Sequence, residues 1–435
     1  MTAFDRFDRR FGDALDDLAS PHVPEYFEDV LSTAMRQSQR PAWTFLERWI
    51  PVSTLTRRSV LVPGVPWRTV AILLALLALL VAGAVISLGL RSDRTPAPPF
   101  GLAANGLISY VSDGDVYSRD LVTGAEELLV GGSATDVFPV FSRDGLSLAW
   151  FRVTSDGGDF ATLMVANADG TDARSLGEAA IYDWMSWSPT SDALAVIAAV
   201  DAERTLSIVP IARGEEARAI DLPVEPEGGV VWRPPAGDEL IFGGSDGVRH
   251  AIYGVSPDGT DFRQISADGR SDSYGGPYDI TPDGSRMVFT EGGDIVEVGV
   301  LDLGTGDQRI FGAELPAPPE YSGGLQHHGH PSISPDGTTI LFGRYWNELG
   351  GTINHQLYTA SIDGDGADAV ALGPVHRSQS GHNPFWQAYS PDGEVIIVVE
   401  NDTFLAWTVH PDGTARDELD WRELGDPPTW QRVAP

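Results

Sequence analysis

Histidine is the residue type in this sequence with the clearest capacity for chemistry, because its imidazole binds metals and transfers protons near neutral pH. Three of the nine histidines fall together in the segment GGLQHHGHPSISPDG, as His327, His328 and His330. A fourth, His382, lies in the segment SGHNPFWQAYSPDG. A metal site needs three or four ligands at about 2.1 Å, which these side chains supply only if the fold brings them together.

A second interpretation needs no metal. A long loop over residues 312–329 is sufficient to expose the histidines as polar recognition residues on the surface. We favour this interpretation and predict a ligand-binding surface without a catalytic residue, a metal or a cofactor. Tyr345 and Trp346 are its candidate aromatic residues.

Composition excludes several other classes of protein. The chain has 435 residues and a net charge of −33, and it contains no cysteine. The acidic balance offers phosphates no basic surface, so we expect no nucleic-acid partner. The lack of cysteine excludes disulfides, thiolate metal sites and cysteine nucleophiles. The 48 glycines and 31 prolines favour a turn-rich all-β protein.

An internal repeat places the histidines on predicted strands and turns. One motif has an apolar residue, Ser/Thr-Pro-Asp-Gly and a second apolar run, as in ITPDGSRMVFT and ISPDGTTILFG. Pro-Asp-Gly between two such runs indicates a hairpin, since proline presets its backbone angle and glycine accepts positive φ. The motif is degenerate near Trp187 and Trp232. The Ser/Thr position of the motif recurs 45 to 56 residues apart, at Ser142, Ser188, Arg233, Thr281, Ser334 and Ser390.

A second turn alternates with the first, as in NADGTDARSL and SPDGTDFRQI. Two hairpins per repeat give four strands, the content of one propeller blade. The second turn occurs seven times, at Gly124, Gly170, Gly214, Gly259, Gly306, Gly364 and Gly413. We therefore predict an all-β, seven-bladed β-propeller over residues 105–435.

The two ends of the repeat region complement each other. The first repeat lacks its first strand, and the C-terminal segment PPTWQRVAP matches only the start of the motif, through Trp430 and Arg432. Pairing of Pro428–Val433 beside the strand near Ile108 closes the ring and leaves no exposed edge strand.

On these motifs, residues 105–435 resemble the TolB-type, WD-repeat-like β-propellers, whose repeats contain the pattern WSPDG. The resemblance implies a fold more than a function, because such propellers serve as binding platforms, sensor domains and appendages of hydrolases. It also implies an alternative, since metal-dependent lyases occur among these propellers. That alternative is a metal-dependent lyase or hydrolase at the propeller funnel, around His330 and His382.

A 22-residue segment without charge, Thr69–Leu90, precedes the repeats. As a helix it covers roughly 30 Å, the thickness of the hydrocarbon core. Arg57, Arg58 and Arg68 flank it on the N-terminal side, and the positive-inside rule then places the N-terminus in the cytoplasm and the propeller outside. We predict one transmembrane helix at 69–90, followed by a Pro-rich linker at 91–104.

Residues 1–68 contain nine acids and nine arginines and show helical spacing of apolar residues. We predict a short helical cytoplasmic segment, either resting on the membrane or docking on a cytoplasmic protein through Trp43, Phe45 and Trp49. The layout resembles that of actinobacterial membrane proteins of unassigned function and of transmembrane anti-sigma factors. The predicted function is therefore a single-pass binding platform or sensor for an extracytoplasmic protein or small ligand. The alternatives are the lyase and an anti-sigma-like regulator.

Overall fold

The computed structural model describes eleven stretches of the chain. They are residues 95–153, 160–177, 180–200, 203–266, 277–291, 296–311, 326–347, 353–378, 385–400, 405–421 and 427–435. The chain divides into two units, Met1–Gly89 and Leu90–Pro435. The first unit, with the predicted helical segment and Trp43, Phe45 and Trp49, lies outside the described residues. No described helix is long and apolar enough to cross a membrane, and the predicted span also lies outside them.

The described residues of the second unit form strands in seven four-stranded antiparallel sheets. The strands are β1 (Ala104–Ser112), β2 (Asp115–Arg119), β3 (Glu126–Val130), β4 (Thr135–Phe141), β5 (Ser147–Val153), β6 (Ala161–Asn167), β7 (Arg174–Ser175), β8 (Ile181–Trp187), β9 (Ala193–Val200), β10 (Glu203–Pro210), β11 (Arg218–Ala219), β12 (Glu225–Trp232), β13 (Leu240–Ser245), β14 (His250–Val255), β15 (Arg263–Gln264), β16 (Pro277–Ile280), β17 (Arg286–Glu291), β18 (Glu297–Asp302), β19 (Gln308–Phe311), β20 (Gln326–Ile333), β21 (Thr339–Asn347), β22 (Ile353–Ser361), β23 (Val370–Ser378), β24 (Phe385–Tyr389), β25 (Ile396–Glu400), β26 (Ala406–Val409), β27 (Asp417–Leu419) and β28 (Thr429–Val433).

Each sheet is one blade of a propeller. From the innermost strand outward, blade 1 is β28-β1-β2-β3, and blades 2 to 7 are β4–β7, β8–β11, β12–β15, β16–β19, β20–β23 and β24–β27. The predicted all-β, seven-bladed fold is confirmed. So is closure by the C-terminal strand, because β28 pairs with β1 with Trp430 opposite Ile108.

The repeated turn forms where it does because its side chains satisfy its own backbone. In the first such turn, Ser142 Oγ donates to Asp144 at 2.5 Å and accepts from Ser147 N at 2.9 Å. Asp144 also accepts from Leu146 N at 3.0 Å, and Gly145 adopts φ +72°. The same bonds join Thr281 to Asp283, Ser334 to Asp336 and Ser390 to Asp392. The turn is therefore encoded locally, by three or four residues.

The core lies between the blades. One cluster joins Val116 and Leu129 of blade 1 to Leu148 and Trp150 of blade 2. Where the ring closes, Ile108 and Trp430 of blade 1 pack against Ile397 of blade 7. Each blade buries its faces on its two neighbours, so the innermost strands surround a central channel.

Candidate functional site

The channel has two ends, which are defined by the direction of the innermost strands. The innermost strands begin at one end, which we call the inlet face. They run into the Ser-Pro-Asp-Gly type turns at the other end, which we call the turn face. In propellers this channel is a common place for ligands, because loops and side chains from every blade converge on it.

Bulges in the innermost strands put aromatic rings into the channel. β4 and β20 each shift register at an X-Pro pair, with Phe138 and His330 both at φ +52°, and a bulge re-aims its side chain. The ring of His330 lies 6.0 Å from that of Tyr278, and Tyr278 lies 6.5 Å from Trp184. His330, Tyr278 and Trp184 belong to blades 6, 5 and 3. The contact between Tyr278 and Trp184 therefore passes the inner edge of blade 4. The corresponding position of blade 4 is free of bulk, because it is Gly228 with φ +67°.

The pKa of His330 lies below its ordinary value, because the surrounding channel walls desolvate the ring even though solvent reaches it. The unfolded chain therefore binds a proton at this residue at a higher pH than the folded chain does. The stability contributed by the neutral ring is present above the unfolded pKa of about 6.5 and is lost as pH falls through the folded pKa.

We expect this residue to make the unfolding temperature pH-dependent. The unfolding temperature of the wild-type protein should fall more between pH 7.5 and 5 than that of the His330→Asn variant, since asparagine tolerates positive φ and does not titrate. Calorimetry of both proteins across this range measures the difference. Parallel pH profiles would contradict the desolvation of the His330 ring by the channel walls.

The structure separates the residues singled out from the sequence. His327 and His328 were expected in the loop 312–329, but β20 already begins at Gln326. His328 is only 4% exposed and packs edge-on against Phe342, so it belongs to the blade core, whereas His330 reaches the channel. Nothing is described of the His327 side chain, and His382 lies outside the described residues.

Of the two aromatic candidates, Tyr345 lies near the channel, because its phenol interacts with Tyr278, whereas Trp346 is buried within its blade. Trp346 is 1% exposed. Tyr345 packs edge-on against His355 at 5.0 Å, and burial raises the pKa of its phenol. Among the described side chains, no group of three or more His, Asp or Glu is placed to hold a metal ion.

A polar pocket occupies the turn-face end of the channel, and we call it the turn-face pocket. Its volume is about 410 Å³, and blades 1, 2, 5, 6 and 7 line it together with the linker. Its charged residues are Arg143, Asp279 and Arg432. Burial lowers the pKa of Arg143 and raises that of Asp279. Burial first, and then the charge of Arg143, lowers the pKa of Arg432 to about 10.

Asp279 is held by the backbone of two blades. One carboxylate oxygen accepts from Ile280 N and the other from Ile333 N, each at 2.9 Å. The guanidinium of Arg143 attracts this carboxylate through space. Asp279 therefore fixes one negative charge at the wall of the pocket and keeps it within reach of Arg143.

The linker closes the turn face. Ala97 N donates to Asp144 O at 3.2 Å, and Ala103 N donates to Pro391 O at 3.0 Å, so the segment crosses from blade 2 to blade 7. Between these points Arg432 Nη2 donates to Pro98 O at 3.0 Å and to Gly101 O at 2.6 Å. The ring of Phe100 lies under the Arg143 guanidinium, 5.0 Å from its Cζ.

Although the linker is Pro-rich, its residues 95–103 are bonded to the propeller. Residues 95–103 pack on the propeller because Arg432 satisfies the carbonyl groups of Pro98 and Gly101 and Arg143 lies over the ring of Phe100. Arg143 was not among the site residues predicted from the sequence, although the sequence contains a signal for it. Arg143 and Arg432 stand at the motif position that Pro189, Pro234, Pro282, Pro335 and Pro391 occupy in the other five blades.

Comparison with known proteins found no matching protein-family model and no matching curated sequence. Several solved structures are similar. A prolyl endopeptidase is 15% identical, covering 76% of this chain and 51% of that one, with a TM-score of 0.51. A GH74 xyloglucanase from Xanthomonas campestris is 12% identical, covering 78% and 56%, with a score of 0.50. TolB from Acinetobacter baumannii is 17% identical, covering 74% and 81%, with a score of 0.44.

This chain therefore spans about half the length of the two structures with the higher scores. At such identities the likeness is one of fold, and it agrees with the seven four-stranded blades. The class of protein that the structure defines is a seven-bladed β-propeller. Function has to be argued from the channel itself.

Proposed function

We propose that this protein is a single-pass membrane protein whose extracytoplasmic propeller binds a ligand in its central channel and acts as a binding platform or sensor. The observation that carries the proposal is the closure of the turn face by residues 95–103. This segment follows the predicted span, which ends at Leu90, after four residues. A ligand in the turn-face pocket contacts Phe100, Arg143 and Arg432, the residues that hold the linker or belong to it.

This arrangement supports a sensor because the linker and a ligand in the pocket would both contact Arg143 and Arg432. With Phe100 on Arg143 and the linker carbonyls on Arg432, the linker is ordered against the propeller. A ligand that uses the same guanidinium groups changes the free energy of that contact, and only such a differential interaction can shift a conformational equilibrium. The segment affected leads directly to the predicted membrane span.

Each of the two alternative functions predicts a specific experimental result. A lyase or hydrolase at the funnel needs a metal held by His330 and His382, of which His382 lies outside the described residues. Retention of about one equivalent of metal by the purified protein after dialysis is the outcome specific to that role. An anti-sigma-like regulator needs a cytoplasmic partner for Trp43, Phe45 and Trp49. Loss of one sigma-like protein from the complexes of full-length protein on removal of residues 1–68 is the outcome specific to that role.

Membrane topology provides the direct test of the proposal. We expect a periplasmic-type phosphatase fused after Pro435 to be active, because Arg57, Arg58 and Arg68 hold the N-terminal flank inside. A reporter that fluoresces only in the cytoplasm, fused at the same position, is the matched control and should be dark. An active cytoplasmic reporter, or a protein released from membranes by alkaline carbonate, would refute the anchored role.

A further inference from the structure

The turn-face pocket contains two arginines at equivalent positions of adjacent blades. Five blades place a proline before or within the turn, and the ring of seven positions is completed by Arg143 of blade 2 and Arg432 of blade 1. Arg432 lies in β28 and holds the linker. Arg143 lies in a turn that proline serves in the other five blades, so the turn itself does not require an arginine there. The Arg143 guanidinium therefore calls for an explanation beyond the turn.

Arg143 retains its hydrogen-bonding capacity. No described residue accepts a hydrogen bond from its guanidinium, which is held by the ring of Phe100 and by the charge of Asp279. Arg432, in contrast, donates to Pro98 O and Gly101 O. A guanidinium carries five N–H donors in a planar fork that matches a carboxylate with two parallel bonds.

The charges of the pocket leave an excess of one positive charge. Arg143 and Arg432 contribute two, and Asp279 offsets one. This excess stands out in a chain whose net charge is −33. A monoanion neutralises the pocket, whereas a dianion leaves surplus negative charge beside Asp279, where low dielectric makes repulsion strong.

The rest of the wall favours an organic ligand. Ile280, Ile333, Ala388 and Trp430 provide apolar surface, and Phe100 closes the end. Ser332 Oγ and Gln387 Oε1 are buried without a hydrogen-bond partner among the described residues, while Gln387 Nε2 donates to His330 O at 2.9 Å. The volume of about 410 Å³ lies in the range of small-molecule sites, roughly 300–1,000 Å³.

We propose that the turn-face pocket binds a small organic monocarboxylate. Its carboxylate pairs with the Arg143 guanidinium, and its apolar body lies against Trp430, Ile280 and Ile333. Because the linker closes the turn face, the ligand reaches the pocket from the inlet face, past Tyr278 and His330. This deepens the proposed function by naming the ligand class, and it rests on the channel being the binding site.

The test uses the full chain purified in detergent, with benzoate as the probe and benzamide as its neutral counterpart of the same shape. Titration calorimetry and thermal unfolding are recorded for the wild-type protein and for the Arg143→Pro variant. We expect saturable benzoate binding that raises the wild-type unfolding temperature, with no effect of benzamide. We expect Arg143→Pro to weaken benzoate binding at least tenfold, or about 1.4 kcal/mol.

Arg143→Pro is a suitable variant because five blades already carry proline at this position, and the Arg143 backbone N–H donates no bond in the described structure. Because the variant also loses the contact with Phe100 and the positive charge near Asp279, its own unfolding temperature without ligand is the reference for its benzoate titration. Arg213→Gln, at an exposed arginine paired with Asp172, is the control for a general loss of charge and should bind benzoate normally. If the proline variant is destabilised, Arg143→Gln replaces it.

Three outcomes overturn the inference: equal benzoate affinity in wild type and variant, equal binding of benzamide, or binding of inorganic phosphate but not benzoate. Absence of any benzoate binding to the wild type overturns it as well. None of these results alters the topology experiment, so the ligand class can fail while the membrane-anchored role stands.

Discussion

Removal of residues 428–435 is expected to destabilise the propeller by roughly 5 kcal/mol, the largest effect that we predict. The deletion removes β28, the innermost strand of blade 1. Trp430 is 9% exposed, and burial of its side chain contributes roughly 1.5–3 kcal/mol. The lost pairing with β1 and two side-chain bonds, Gln431 Nε2 to Gly145 O at 2.7 Å and Thr429 Oγ1 to Pro139 O at 2.9 Å, each add about 0.5–1.5 kcal/mol.

The measurement is thermal unfolding of the full chain with and without these residues. At about 2–4 °C per kcal/mol, the deletion should lower the unfolding temperature by roughly 10 °C or more and expose β1 as an edge that promotes aggregation. Removal of only Ala434 and Pro435, which follow β28, is the matched control and should have little effect. Equal unfolding temperatures for all three proteins would show that β28 does not hold the ring closed.

Substitution of Gly145 by alanine is expected to have the second largest effect. Gly145 has φ +72°, and an added Cβ meets the carbonyl oxygen of Arg432 in the neighbouring blade, far inside van der Waals contact. The backbone of β28 cannot move away without breaking its pairing with β1 and the contacts of Arg432 with the linker. We expect Gly145→Ala to lose about 3 kcal/mol or more, combining strain at positive φ with overpacking.

Gly124→Ala separates the two causes. Gly124 has φ +70°, nearly the same as Gly145, but the nearest atom to an added Cβ is Arg119 Nη2 at 4.0 Å. This variant should therefore lose only about 1–2 kcal/mol, the cost of an L-residue in the left-handed region. Chemical denaturation of both variants gives the two free energies of unfolding. Similar losses in the free energy of unfolding of the two variants would mean that the backbone of β28 moves aside to accommodate the added Cβ.

The number of blades and the way the ring closes followed from sequence alone. Each hairpin is encoded by a few consecutive residues, as when Ser142 and Asp144 satisfy the backbone of their own turn. Local signals of this kind survive divergence elsewhere in a repeat, and counting them gives the architecture. The half-motif at Trp430 then had one place to pair, beside the strand that lacked a partner.

The positions of the histidine side chains depended on tertiary structure. His328 and His330 are two residues apart, and strict alternation along a strand places them on one face. The bulge at β20, with His330 at φ +52°, turns His330 to the channel while His328 packs on Phe342. A bulge is a response to the twist and pairing of neighbouring strands, so the spacing of the two residues could not reveal it.

The turn-face pocket could not be predicted from the sequence for a different reason. In the sequence, Arg143 and Arg432 are two ordinary departures from a proline position, separated by most of the propeller, and Phe100 belongs to a linker. Composition and periodicity determined that seven blades form and that both ends share the first. Only the pairing of β28 with β1 brings Arg432 close to Arg143, and only docking of the linker places Phe100 under Arg143, because contacts between distant residues arise from the packing of blades and not from any local preference.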